Sequence, residues 1–336
     1  MAPQCSNIVA LLIVILFVPN PSLATKTELL QGMRLNTIDG CWRWNQHWRR
    51  NRQQLATCSI GFAGKMMNNI GRDLVYYTVS DPSDNAIHPK PGTLRYGATM
   101  VRGKVWIIFQ RDMSIKLEKP LLLSSYTAID GRGASIHIAG NACLIIFKAS
   151  NIIIHGLRIH NCKAQAPSRV MGPEGKIVEI GQVDGDAIRL GTASKSQDGL
   201  LDVTRGSTNI TISNNWFRNQ DRVMLLGHND AYLRDNNMKV TLIYNHFGPN
   251  CNKEYQVSSK ANLFIAPKSG NKEATWRRDS TGNKNSWRFY SLGDVFENGA
   301  SFVQTGVGGA KPDNNQQQVF SNAVRSITRS AGALRC

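Results

Sequence analysis

Three stretches of this chain share one pattern, an apolar alternation that runs into a polar turn rich in asparagine. They are Asn151-Ile-Ile-Ile-His-Gly-Leu-Arg-Ile159, Asn209-Ile-Thr-Ile-Ser-Asn-Asn-Trp-Phe217 and Val240-Thr-Leu-Ile-Tyr-Asn-His-Phe247. Ile210 to Val240 is 30 residues, and Ile152 to Ile210 is 58, close to two such steps. A strand–turn–strand unit of this length cannot bury its own apolar face. Successive units must therefore stack as coils around a shared interior. Asparagine suits the corners because it tolerates the left-handed conformation and its side chain bonds nearby backbone.

The rest of the chain beyond about Arg95 agrees. Short β-rich runs at 105–109, 121–129, 135–138, 143–147 and 187–190 are broken by Gly, Asn and Asp, and helical periodicity is scarce. An antiparallel sandwich would require tight two-residue hairpin turns between strands, and those are few. The expected architecture is all-β, a parallel β-helix. Ahead of it, Asn45 is placed to cap a helix over 46–56 with Trp48 and Leu55 on one face, which predicts a short N-terminal helical cap.

The first 24 residues contain no Lys, Arg, Asp or Glu, and 8–18 is an almost unbroken apolar run leading to Ser22-Leu23-Ala24. The run is short for a membrane span and ends in a small-x-small pattern. This predicts a cleaved signal peptide at 1–24, with 25–336 as one exported domain. An uncleaved anchor is the alternative. Cysteine usage suits export: Cys41, Cys58, Cys143, Cys162, Cys251 and Cys336 follow the leader, with no CxxC pair and no zinc-type cluster. Spacing alone leaves fifteen pairings open. The sequon Asn209-Ile-Thr211 falls inside a predicted strand, a poor place for a glycan.

The formal net charge is +17, so the chain attracts polyanions. An exported protein meets acidic polysaccharide rather than nucleic acid, and no nucleic-acid motif accompanies the charge. The segment Asp184-Gly-Asp186-Ala-Ile-Arg189, followed by Asp198 and Asp202, is the most chemical part of the sequence. Asp184 and Asp186 are two apart and would share one face of a strand, as would Asp198 and Asp202. Coils stack about 4.8 Å apart, so carboxylates from neighbouring coils can meet at one hard, oxygen-loving cation. Asp-Gly is equally a corner signal, and the spacing is not that of an EF-hand, so spacing leaves both readings open.

At this point the sequence resembles the plant pectate lyases of polysaccharide lyase family 1. Matching stretches lie in order at 38–44, 51–62, 90–95, 106–113, 127–133, 151–156, 206–215, 223–230 and 330–336. They include Ile38-Asp-Gly-Cys41-Trp-Arg-Trp, Thr127-Ala-Ile-Asp130-Gly-Arg132-Gly and Val223-Met-Leu-Leu-Gly-His-Asn-Asp230. The resemblance implies a right-handed parallel β-helix and calcium-dependent β-elimination of de-esterified homogalacturonan in the plant cell wall. It implies calcium ligands at Asp184, Asp198 and Asp202 with Asp186 as a fourth, and disulfides Cys41–Cys58 and Cys143–Cys162. It also implies that Arg222 contacts substrate carboxylates, and it is compatible with a monomer that has no membrane or nucleic-acid partner.

Two family segments are missing. The Trp-x-Asp-His stretch is skipped between Lys195 and Ser196, a loss of about ten residues, roughly one strand. The Arg-x-Pro-x-x-Arg stretch that carries the family's catalytic arginine is skipped between Asn252 and Asn262, so no catalytic residue carries over. The resemblance thus implies a pectate lyase, with a non-catalytic pectin-binding β-helix as the alternative. Loss of part of a coil is expected to shift the strands on either side of it.

Overall fold

The polypeptide enters the described structure at Leu35 through a sharply capped helix. The computed structural model describes residues 35–141, 143–190, 199–218, 220–227, 232–248, 251–254, 258–274, 290–305, 321–329 and 331–332, all within the unit Leu35–Cys336. The predicted leader lies outside them. No helix among the described residues is long and apolar enough to cross a membrane. The Asn36 side chain accepts from the backbone N–H groups of Ile38 and Asp39 and starts the helix Thr37–Arg43, which the sequence reading missed. The helix expected over 46–56 is broken. Asn45 does accept from His47 N at 2.8 Å, but it caps only a turn, followed by a 3-10 turn Arg52–Gln54 and a single helical turn Leu55–Cys58. Tertiary ties override the local pattern here: Cys58 is joined to Cys41, and Arg52 reaches Asp130 and the carbonyl of Arg132.

Beyond the cap the chain winds as a parallel β-helix with three faces. The first face is one six-stranded sheet built from Leu121–Leu122, Leu144–Ile146, Ile188–Leu190, Gly199–Val203, Gln220–Leu226 and Cys251–Glu254. The second face is two four-stranded sheets. One runs from Leu74–Val79 to Ile153–His155, the other from Ile210–Ser213 to Tyr290–Leu292. The third face is likewise divided, with three strands ending at Leu157–Cys162 and four starting at Trp216–Phe217. Side chains alternate in and out along each strand, as a pleated backbone dictates. The inward set forms apolar clusters, one in the coils before Ile146 and one after Gly199, the latter including a column of Phe217, Phe247, Phe264 and Phe296 with ring centroids 4.9, 5.0 and 5.2 Å apart.

The asparagine-rich corners do two jobs with different residues. The left-handed position between the second and third faces is taken by Asn214, Tyr244, Ala261 and Gly293. The next residue in each coil, Asn215, Asn245, Asn262 or Asp294, makes the ladder. Asn215 Nδ2 donates to Asn245 Oδ1 at 3.2 Å, Asn245 Nδ2 to Asn262 Oδ1 at 3.0 Å, and Asn262 Nδ2 to Asp294 Oδ1 at 3.1 Å. A buried amide thus satisfies the backbone and its own neighbour coil together. These corners also split the stretches 209–217 and 240–247 into two strands each. Gly156, with φ of 71°, does the same to 151–159.

The expected 30-residue step is seen directly, since Ile210 pairs with Val240. The 58-residue spacing is not a double step: no pairing joins Ile153–His155 to Ile210–Ser213 among the described residues. The steps on either side explain why. Ile188 pairs with Leu201, only 13 residues on, so those two strands of the first face are neighbours without a full coil between them. That is where the resemblance implies a skipped stretch, and among the described residues both other faces are interrupted there, more than the single strand expected. At the second skipped segment the step from Ile243 to Lys260 shortens to 17 residues and the stack still closes.

The N-terminal segment bridges the interruption. Trp42, buried, meets His155 edge-on at 6.0 Å on one side. On the other side Asp39 accepts from Asn214 Nδ2 at 2.7 Å, and the Thr37 hydroxyl bonds the Tyr244 phenol at 3.1 Å. Further along, Asn69 Nδ2 donates to Asn151 O, while Phe62 N and Ala63 N donate to the hydroxyls of Thr241 and Thr211. The strap is anchored by Asp130, a fully buried carboxylate that accepts from Arg52, from Arg132 (2.8 and 2.7 Å) and from Trp106 Nε1 (3.0 Å). Burial pushes its pKa up, but the two guanidiniums outweigh burial and bring it to about 2. A depressed carboxylate stabilises the fold above its unfolded pKa and loses that contribution as pH falls from about 4 through about 2. Asp130→Asn is therefore expected to cost about 3–5 kcal/mol at neutral pH. The gap to the parent should narrow below about pH 4, as read by denaturant unfolding across that range.

Candidate functional site

The outer surface of the six-stranded sheet carries the carboxylates. Across it Ile145, Arg189, Asp202 and Leu225 stand in register on adjacent strands. Ile145 packs with Leu122, Val170 and Val183 beneath the antiparallel pair Ser168–Met171 and Ile177–Ile180, so the row becomes polar only at Arg189 and Asp202.

Asp184 and Asp186 arrive differently from expectation. They are not on a strand but flank Gly185 in the irregular segment leading into Ile188–Leu190. Gly185 has φ of 95°, and a Cβ there would stand 2.8 Å from Ala164 N and 2.9 Å from Cys162 O. Only glycine fits that close pass against the chain near Cys162, which the disulfide Cys143–Cys162 ties to the sheet. The bend turns both carboxylates onto Arg189. Its Nη2 donates to Asp184 Oδ2 at 3.1 Å, and its Nη1 lies 3.7 Å from Asp186 Oδ2. All four groups, Asp184, Asp186, Arg189 and Asp202, are buried.

Asp202 is the odd member. Burial pushes its pKa up to about 6, and the Asp184 charge adds to the rise. The Arg189 guanidinium and the neighbouring Asp186 carboxyl oppose it. Neither of its oxygens accepts a hydrogen bond among the described residues. A buried carboxylate without donors calls for a cation or a proton.

Arg189 was not among the residues singled out from the sequence. The usable signal was the skipped segment: a 13-residue step sets Arg189 directly beside Asp202. Asp198, the remaining expected ligand, lies outside the described residues. Arg222 sits on the same sheet with its backbone paired to Gly199 and Asn252, and its side chain is outside the described set. Asn209 is exposed and precedes its strand in a left-handed turn rather than lying inside it. The Thr211 hydroxyl of that sequon is engaged, donating to Ile60 O and accepting from Ala63 N.

Calcium takes oxygen donors, several of them carboxylates, and Asp184, Asp186 and Asp202 supply that chemistry on one surface. With all three ionised, three negative charges and one guanidinium leave two net negative charges. No three described acidic, His or Cys side chains form a ready-made metal cage, because Arg189 holds the centre of the group. The donors fit a hard cation in kind and in charge. Gly185→Ala should destabilise the protein by about 1–3 kcal/mol and spread the Asp184–Asp186 pair, seen as a lower melting temperature.

This geometry can be set beside known proteins. The family model for pectate lyase matches residues 179–253, the segment that holds Asp184, Asp186, Asp198, Asp202 and Arg222. "Probable pectate lyase 9" of Arabidopsis thaliana is 41% identical, over 90% of this chain and 76% of that protein. "Pectate lyase 1" of Cryptomeria japonica is 39% identical, over 90% of this chain and 92% of that protein. Among solved structures, the cedar-pollen major allergen jun a 1 superposes with a TM-score of 0.76 at 35% identity. The match covers 89% of this chain and 99% of that one. Identity at this level along nearly the whole β-helix, with the carboxylate segment inside the matched region, shows that the chain belongs to the pectate lyase family.

Proposed function

We propose that this protein is an extracellular, calcium-dependent lyase that cleaves de-esterified homogalacturonan in the plant cell wall by β-elimination. The observation that carries the reading is the group of buried carboxylates, Asp184, Asp186 and Asp202, gathered on the outer face of the six-stranded sheet. The net charge of +17 supports it, since a polyuronate is drawn to such a field.

Asp184, Asp186 and Asp202 would hold calcium, joined by Asp198. When bound, calcium neutralises a uronate carboxylate and, as a Lewis acid, stabilises the charge that builds on it when the C5 proton leaves. Removing that proton expels the C4 oxygen with the electron pair of the broken bond and leaves an unsaturated sugar. Asp202 serves as a ligand only when ionised, and its raised pKa makes its contribution fall off on acidification through about pH 6. Arg222, on the next strand of the same sheet, would orient a second carboxylate of the polymer.

A second reading, binding without cleavage, is favoured by one observation. The 17-residue coil between Ile243 and Lys260 replaces the stretch in which the family carries its proton-abstracting arginine. One experiment separates the two. Purified protein with polygalacturonate and calcium is expected to release unsaturated oligogalacturonides, seen as ultraviolet absorbance. Chelation should abolish the signal, and Asp202→Asn should reduce it about tenfold or more. Calcium-dependent retention on pectate gel without that absorbance would leave binding as the function. Neither retention nor absorbance would remove both.

A further inference from the structure

Arg189 has a chemical consequence that the pectate lyase reading does not contain. It is a buried guanidinium within 3.1 Å of Asp184 and 3.7 Å of Asp186, and it also acts on Asp202. Its attachment is light for a buried arginine. Nη2 bonds Asp184, whereas Nε and Nη1 donate to nothing among the described residues. A guanidinium has five N–H donors and commonly spends them in bidentate pairs, so this one is held mainly by charge. Lys163 lines the same pocket beside Asp184, Gly185 and Asp186, adding positive character at its mouth.

We infer that Arg189 is a tethered cation that competes with calcium for the charge of Asp184 and Asp186, so that the guanidinium sets how tightly the site takes up the metal. The inference rests on the calcium reading above and concerns what regulates that site. Two facts drive it. The guanidinium already engages Asp184 Oδ2 and stands 3.7 Å from Asp186 Oδ2, so part of the negative charge a calcium ion would use is offset before the ion arrives. A divalent ion placed among these carboxylates would also stand within a few ångströms of the guanidinium, where like charges repel strongly in a buried setting. Nε and Nη1 make no hydrogen bond among the described residues, so the guanidinium acts on the site mainly through its charge. The expected protein is therefore one whose carboxylates are only partly neutralised without metal and whose calcium affinity is set by how strongly the Arg189 charge opposes the ion.

The test is calcium titration by calorimetry, with terbium luminescence as a second probe, on the parent, Arg189→Gln, Arg189→Lys and Asp202→Asn. Arg189→Gln should bind calcium about tenfold or more tightly than the parent. Arg189→Lys, which keeps the charge, should stay close to the parent, and Asp202→Asn should bind more weakly. Equal affinity in the parent and Arg189→Gln overturns the inference while leaving the calcium site standing. Absence of calcium binding in both overturns the inference and the calcium reading together. Should Arg189→Gln fail to fold without metal, its melting curve in millimolar calcium decides. Recovery of a cooperative transition supports exchange of one cation for the other, and no recovery overturns it.

Discussion

A coil of parallel β-structure is stable only when something lies above and below it, and this chain interrupts two of its three faces midway. Besides the first face, which runs across the break, the two sides are joined by the strap of residues 36–69, which touches both. Trp42 packs against His155 below, while Asp39 and Thr37 bond Asn214 and Tyr244 above. One hydrophobic cluster includes Ile38, Trp42, Leu55, Trp106 and Ala128 together with Ile243, Tyr244 and Leu263, so the strap's core belongs to both halves at once. The disulfide Cys41–Cys58 closes the strap on itself, and the Asp130–Arg52–Arg132 group fastens it to the lower half. Buried ion pairs of this kind gain little net stability but are costly to break singly, which suits a fastening that must hold one register.

The first face carries the site because it alone is continuous. Its six strands run across the break, and the skipped coil brings Ile188–Leu190 directly against Gly199–Val203. Neighbours in the sheet are therefore residues 13 apart, and the pairing of Arg189 with Asp202 follows from that shortened step. The short step between these two strands thus sets the charge pattern on this face. The electrostatics are tightly linked: Asp184 and Asp186 keep company with the guanidinium, and Asp202, deeper and without hydrogen-bond donors, carries the cost of burial as a raised pKa.

Much of this was legible in the residues. Apolar alternation ending in asparagine showed a coil about 30 residues long, because the side-chain period of a strand and the corner chemistry are both local. The acidic segment stood out as a candidate site from the same kind of local spacing. The helix over 46–56 was misread because Trp48, Arg52 and Leu55 are spaced for a helix face, yet each is claimed by a partner far along the chain: Arg52 by Asp130, and Trp48 by Arg132 at 5.2 Å. Asp184 and Asp186 were expected on one strand face. They are instead aimed by a glycine bend whose φ of 95° depends on the nearby backbone at Cys162 and Ala164.

The sequence by itself determined the repeating coil, the corner residues and the family, since each rests on short-range periodicity or on motifs read in order. Only the tertiary structure decided which coils stack on which, that the break spares the first face, and that an arginine stands among the carboxylates. Those depend on register between strands far apart in the chain, and a parallel sheet sets register by the length of each intervening coil and by what covers its faces rather than by any local signal.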